Sequence, residues 1–337
     1  MTVYGNTILT LADIANEYPK GVLRDMTYML AARSPLRRMM PMKASNKTTS
    51  HVSTFQVSEP TITVLKVGEG ISASVGHTEQ VEDGMSMLGT LAVTPLKLLE
   101  INDDPNEIRM SQINMRTEAL NKTAESLVFY GNPADDAAEF LGWAFRSYYT
   151  TLGDHCLSAG GTTNKSSIWL FDIHPESSFI VYPRNCKGGV YHKDWGEQLV
   201  QTDTNVGGAK LPCVVDQVEL DLGLVLKDPR QNVRLANVDH AEMAGLSGAQ
   251  QTTDFATFVL FQMGRMQHHI YAPYMGQPAF VMGRDVAQQF AFMAQATTNT
   301  NVFTFEQIGG KGPKQLHYNG IPILVSDAIV NNEATIS

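Results

Sequence analysis

Few residues of this 337-residue chain have the types that could do chemistry, and their spacing argues against most of it. Gly160–Ser166, GGTTNKS, is the nearest approach to a phosphate loop. Such a loop needs Gly directly before the Lys and another Gly five positions earlier, so that the backbone can wrap a phosphate. Asn164 and Ala159 stand there instead, and the segment reads as a flexible loop. His268-His269 suggests a metal, but adjacent helix positions point about 100° apart, and neither His has a His, Asp or Glu four residues away. His155-Cys156 offers a base and a thiol, though adjacency in sequence says nothing of pairing in space. Asp103-Asp104 and Asp135-Asp136 read as a helix cap and a solvated loop, and Asp239–Glu242, DHAE, has no metal or catalytic spacing. Nothing here demands catalysis, a cofactor or a metal, and the expectation is a protein that is not an enzyme.

The elements around these residues describe something extended. Hydrophobic residues make up 43% of the chain and charged residues 18%, which is ordinary for a folded protein. Twenty-five basic against 34 acidic residues give a net charge of −9, which argues against a surface built throughout to coat nucleic acid. Three widely spaced cysteines without a C-x-x-C pair fit a reducing compartment. No apolar run has the length of a membrane span, and the first residues lack a signal-peptide layout, so a soluble intracellular protein is expected.

From Met1 to about Lys47, short amphipathic pieces alternate with breakers: Pro19-Lys20-Gly21, Ser34-Pro35 and Met40-Pro41. Such a segment packs poorly on itself and reads as an arm lying across something else. Between Lys20 and Lys47 its basic residues, Arg33, Arg37 and Arg38 among them, face a single acid, Asp25. A solvated face and a phosphate contact account for that contrast equally well. Ser50–Val93 changes to β texture, with Phe55, Val57, Ile62, Val64, Leu65, Val67, Ile71 and Val75 strand-like and Gly68, Gly70, Gly76 and Gly84 at turns. Large apolar residues are sparse there, and a two-stranded ribbon is marginal alone, so neighbours must support it.

Asn102–Tyr130 carries the clearest helix signal. Asp104 is an N-cap, Pro105 takes the first helical position and Glu107 completes a capping box. Ile108, Met110, Ile113, Met115, Leu120, Ala124, Leu127 and Val128 supply the apolar interior, and Gly131-Asn132-Pro133 ends it. At ~1.5 Å per residue this helix spans roughly 40 Å. Asp216–Asp239 reads as a long β-hairpin: Leu220, Leu222, Leu224 and Leu226 alternate at strand period, Asp228-Pro229 turns the chain, and a second strand runs through Val233, Leu235 and Asn237. Short strands are expected at Ile168–Phe171 and Phe179–Pro183. In the last third, helices at Thr253–Ile270 and Arg284–Ala296 and strands at Ala279–Gly283, Phe303–Phe305, Leu316–Tyr318 and Ile321–Ser326 suggest a small α/β layer packed as its own unit.

The wording of these segments resembles a known family. DQVELDLGLVLKDPRQNVRLANVD at Asp216–Asp239 is similar to the DxGLxVxDxRxxVRxANxD of the coat proteins of epsilon-fifteen-type podoviruses, with Leu at two of the Val positions. Phe129-Tyr130-Gly131-Asn132, then Glu139–Trp143 and Arg146, resembles that family's FYGN…eFxGLxxR, with Trp143 in place of Leu. Asn164–Leu170, Val181–Arg184 with Gly188-Gly189, Asp194–Gly196, Ala279–Asp285 and Tyr318–Ile329 follow in the family's order. The collinear likeness runs from about residue 104 to 330.

The resemblance implies an α+β chain with the Hong Kong-type tailed-phage capsid fold. Its parts would be an N-terminal arm at 1–48, an extended β-hairpin loop at 49–100, a peripheral domain at 101–245 with spine helix 105–130, and an axial-type α/β domain at 246–337. It further implies a major capsid protein that assembles into pentamers and hexamers of an icosahedral head around double-stranded DNA. Scaffolding, portal and cementing proteins would be its other partners, and the virion, assembled in the host bacterial cytoplasm, its location. Candidate inter-subunit or DNA contacts are Arg33, Arg37 and Arg38 in the arm and Gly70 and Gly84 in the ribbon. Two other readings stay open here: an encapsulin-like compartment shell, and an α/β enzyme with an unrecognised site.

Overall fold

The capping signal at Asp104-Pro105 is followed by a helix of 26 residues, Pro105–Tyr130, which starts and stops where the cap and the glycine stop place its ends. The computed structural model describes residues 36, 39–101, 104–186, 188–201, 210–244, 254–270, 276–295, 303–307 and 314–337. These fall into two compact units, which interleave in sequence and divide both the long helix, after Glu125, and the strand Lys210–Leu226, after Leu222.

In the first unit, Lys210–Leu222 is the middle of three antiparallel strands, between Ser86–Pro95 and Val190–Gln201. The register sets Leu88 beside Leu220, Thr90 beside Val218 and Ala92 beside Asp216, so these pairs share a face. Leu98, Leu99 and Ile108 pack with Val214 on that side, under the first turn of the long helix. Along this part of the helix Ile108 and Leu120 are buried as the spacing implies, but Met110 is 55% exposed while Ser111 and Gln112 are buried. The helical stripe is therefore rotated from the one read from apolar residues alone, because the face it covers carries Asp216 and accepts polar partners.

The second unit is built on seven strands in the order Phe303–Gln307, Lys314–Tyr318, Ile321–Val325, Gln277–Met282, Lys165–Ile173, Asn232–Asp239 and Cys156–Ser158. Strand alternation in SIWLF sorts its two faces. Ile168 and Leu170 face helices Asp254–His269 and Arg284–Gln295, which bury Val259, Met263, Met266, Val286 and Phe290 there. Trp169 and Phe171 face the other way and stack at 5.5 Å between ring centroids. Trp143 lies 4.2 Å from Phe171, and Tyr149 meets Trp169 edge-on at 5.4 Å. The final residues run as a strap held by Asn237. That residue takes φ +57 at a bulge in its strand, a conformation asparagine tolerates, and its amide exchanges hydrogen bonds with the Ile336 backbone.

Three expectations need correction. Asp216–Asp239 holds two strands but no hairpin: Gly223–Leu226 pairs with Ser178–Val181, whereas Asn232–Asp239 pairs with Lys165–Ile173 and Cys156–Ser158. A short 3-10 turn, Pro229–Gln231, capped by Asp228, separates them. All eight residues of Asn232–Asp239 are buried, so this strand needs a neighbour on each edge, which a lone hairpin cannot give. Secondly, the last third is not a unit of its own, since Gln277–Met282 pairs with Lys165–Ile173 and both stretches feed one core. Residue 246 is thus no boundary in this sheet. Thirdly, the ribbon ends at Gly84, and Ser86–Pro95 belongs to the three-stranded sheet of the first unit.

Candidate assembly surface

The ribbon consists of Ser50–Ser58 and His77–Gly84, paired antiparallel from Ser50 opposite Gly84 to Ser58 opposite His77. Between them, residues 59–76 form no strand. The strand-like residues read there lie in open solvent: Ile62 is 89% exposed, Val64 92%, Val67 109%, Ile71 79% and Val75 74%. Alternating β-branched residues favour extended backbone, but a strand also needs an edge to pair with, and among the described residues none pairs beyond Ser58 and His77. Gly70 lies in that span and Gly84 at the ribbon's root, each with open space where a Cβ would sit. Arg33, Arg37 and Arg38 lie outside the described residues.

The root is better anchored. Asp83 and Arg146 form a buried ion pair of 2.9 Å, with side chains 4% and 7% exposed. His51, opposite Asp83, meets the Phe179 ring edge-on at 5.4 Å, and the Lys43 ammonium sits 4.6 Å from the same ring. Phe179, Val181 and Val225 form a small core against which Met85 packs. Beside the root, a cleft of about 480 Å³ is lined by Thr54–Val57, Tyr148, His155, Glu176 and Lys227–Arg230. Its charges pair among themselves, Lys227 with Glu176 and Arg230 with Asp228.

The residues that could do chemistry have structural roles. In the Gly160–Ser166 loop, Thr163 bonds the Asp239 carboxylate through its backbone N–H and its hydroxyl, and a Cβ on Gly161 would meet Asn237 O at 2.6 Å. Asp239 also accepts from the Ala241 and Glu242 amides and caps the helix that follows, which explains the DHAE run. Burial pushes the Cys156 thiol up to about 11 and holds His155 below its usual range, so the pair gives neither a thiolate nor an imidazolium near neutrality. Asp136 accepts from the Ala138 amide in a turn. Asp104 is exposed, and Asp103 lies outside the described residues. Among the described residues, no three His, Cys, Asp or Glu side chains gather as a metal site requires, and no helix is long and apolar enough to cross a membrane.

Sequence reasoning missed the residues that join these elements. Arg109 reaches Asp216 with two nitrogens, at 2.8 and 3.2 Å, and Asp194 at 2.8 Å. Those acids hold its guanidinium pKa above the ordinary value, and Arg109 holds the Asp194 carboxyl below its own. Arg146 stands in the sequence only as the last residue of the Glu139–Arg146 stretch. Their partners lie far away in sequence; Arg146, alone after the apolar Leu141–Phe145, carried a signal of its own, and Arg109 carried none.

An exposed apolar span between two ribbon strands, a long helix laid on a sheet and a cleft whose charges pair among themselves offer surfaces rather than a reactive centre. A search of curated proteins finds none that matches. Among solved structures, a chain of the structure of bacteriophage Epsilon15 is similar with TM-score 0.73 and 22% identity, over 100% of this chain and 99% of that one. The capsid of bacteriophage JBD30 is similar with TM-score 0.51 and 12% identity, over 95% and 99%. The fold is the mixed α and β, Hong Kong-type fold of tailed-phage capsids. The family model described as major capsid protein GP7 matches residues 19–337. The chain belongs to that family, and its role is structural, as a capsid subunit of a phage particle.

Proposed function

We propose that the chain closes into rings of five and six around an icosahedral shell for double-stranded DNA, with residues 59–76 laid over an adjacent copy. The observation that carries this reading is the apolar span from Ile62 to Val75, exposed on its own chain. Covering such residues gains roughly 25 cal/mol per Å² of apolar surface. A closed ring needs heterologous contacts whose rotation closes, and many weak overlaps made at once hold a shell together. A structural role needs no catalysis, and Thr163, Asp239 and Asp136, among the residues that could do chemistry, are engaged in a loop, a cap and a turn. Gly70 keeps the span close to its neighbour, and Gly84 lets the ribbon leave the body.

Arg33, Arg37 and Arg38 add a basic contact, to packaged DNA or to an acidic neighbour. Scaffolding, portal and cementing proteins complete the particle, and assembly takes place in the host cytoplasm. The test replaces residues 61–74 with a short Gly/Ser turn, keeping both ribbon strands. The expected result, by electron microscopy and sedimentation, is a folded chain that forms no stable shells. Normal shells from this variant overturn the overlap. Particles that package protein and no DNA make the shell a cellular compartment.

A further inference from the structure

The ribbon's root has a hydrogen-bonding conflict. A single Arg146 nitrogen, Nη2, with two hydrogens, faces three acceptors: Asp83 Oδ1 at 2.9 Å, Leu224 O at 2.8 Å and Leu141 O at 3.2 Å. Arg146 Nε and Asp83 Oδ2 are buried with no partner among the described residues. The Leu226 amide is also directed at the carboxylate. Next to the pair, Gly84 O lies where a Cβ on Gly223 would come within 2.7 Å, so the joint closes on two glycine backbones. A buried, half-satisfied ion pair contributes little to stability, because lost hydration is not fully offset.

We propose that Asp83 and Arg146 form a proton-responsive clasp that holds the ribbon root more firmly as the pH falls and leaves it easily re-aimed near neutrality. Protonation takes the countercharge from Arg146, but it also removes a buried negative charge whose Oδ2 has no partner among the described residues and leaves Nη2 to the Leu224 and Leu141 carbonyls. The direction follows from linkage. Burial raises the Asp83 carboxyl above its ordinary value, and the charge of Arg146 offsets this only in part. A group raised in the docked form binds its proton more tightly there. Docking therefore gains as the pH falls through the raised value, and the gain is complete below the free value.

The surrounding charges act differently. His51, opposite Asp83, is lowered mainly by burial; the Asp83 charge favours its protonation, Lys43 and Lys227 oppose it, and because the net direction is down its protonation loosens the root. Glu82, next along the strand, bonds Ser50 and Lys47 and is held low, so its protonation also loosens the root. Glu176 is held low by Lys227. The clasp rests on the reading of the ribbon as an assembly element. There, a weakly held root would let one chain set its ribbon at the different angles that rings of five and six require.

The experiment uses the unassembled full chain and reads hydrogen exchange in 50–58 and 77–84 from pH 8 to 4, each rate divided by that of an unstructured reference. His51→Gln removes the opposing histidine, and comparing it with His51→Gln/Asp83→Asn cancels every other group. In His51→Gln, ribbon protection should rise relative to the double variant by about tenfold for each unit the docked carboxyl stands above the free one. Protection in the core strands 165–173 and 232–239 should stay equal in both. A difference that is flat, or that reverses sign, overturns the clasp. So does loss of core protection in the double variant, which would make the pair a requirement of the fold. Shells that never form while the exchange response persists count against the ribbon's overlap and leave the clasp standing.

Discussion

Glu333→Ala should destabilise the chain more than any exposed substitution, and the structure gives the size. The Glu333 and Arg234 side chains are 5% and 4% exposed, and pair at 2.7 Å. The Glu333 carboxylate also accepts from the Tyr130 hydroxyl at 2.5 Å and from the Ser167 hydroxyl. Removing it leaves the guanidinium buried among the Ser167 hydroxyl and the Ala144 and Tyr149 carbonyls, with no countercharge. Breaking one side of a buried pair costs about 3–5 kcal/mol. The two hydroxyls left without their acceptor hold the figure in the upper part of that range. Glu333→Gln keeps an acceptor in place and should cost about half as much. Urea unfolding followed by tryptophan fluorescence measures both, because Arg234 lies 5.0 Å from the Trp169 ring. A Glu333→Ala variant within about 1 kcal/mol of the parent refutes the reasoning. The strap would then be a surface segment, and Arg234 would be held by carbonyls alone.

Arg109→Met should cost about 3–5 kcal/mol by leaving Asp216, 1% exposed, without its guanidinium. An unfolding midpoint like the parent's would show that His192, 2.9 Å away, is partner enough. Gly131→Ala places a Cβ 2.3 Å from Phe140 O and should lower soluble yield sharply, whereas a normal yield would mean the turn after the long helix opens easily. Alkylation of the native unassembled chain should label the exposed Cys186 and spare buried Cys156 and Cys213. Peptide mapping that finds Cys156 labelled at a comparable rate at pH 8 would contradict a thiol raised to about 11.

Local chemistry was legible in the sequence and pairing was not. Asp104-Pro105 and Gly131 fixed the ends of the long helix because capping is settled within a few residues. Strand alternation marked Leu220–Leu226, the second half of Lys210–Leu226, and the short strand read at Ile168–Phe171 lies inside Lys165–Ile173. Alternation says that a face is buried but not what covers it. The strands on either side of Pro229 therefore looked like partners, although each pairs with chain far away in sequence. The assembly surface shows the same division. Ile62–Val75 was legible as apolar and extended, but its lack of a partner strand appears only in three dimensions. The residues that tie elements together, Arg109, Arg146 and Arg234, could not be found from spacing, because each bonds carboxylates and carbonyls across 50 or more positions.

That division has a physical meaning for a shell subunit. Its core needs only its own chain, and there every strand of the seven finds a neighbour. Its ribbon carries residues that would be a fault in a lone protein: five β-branched side chains at least 74% exposed, on a segment that pairs with no strand among the described residues. A chain selected only for its own stability would replace them with polar residues at little cost. Their presence is best explained by contacts made after folding. The root that carries them is held by an ion pair in which one buried oxygen and one buried nitrogen have no partner among the described residues. A fully satisfied pair would rigidify the root, and a missing one would leave the ribbon without direction. The half-satisfied pair lies between these, which is what the proposed clasp requires of a chain that is to fit non-identical neighbours.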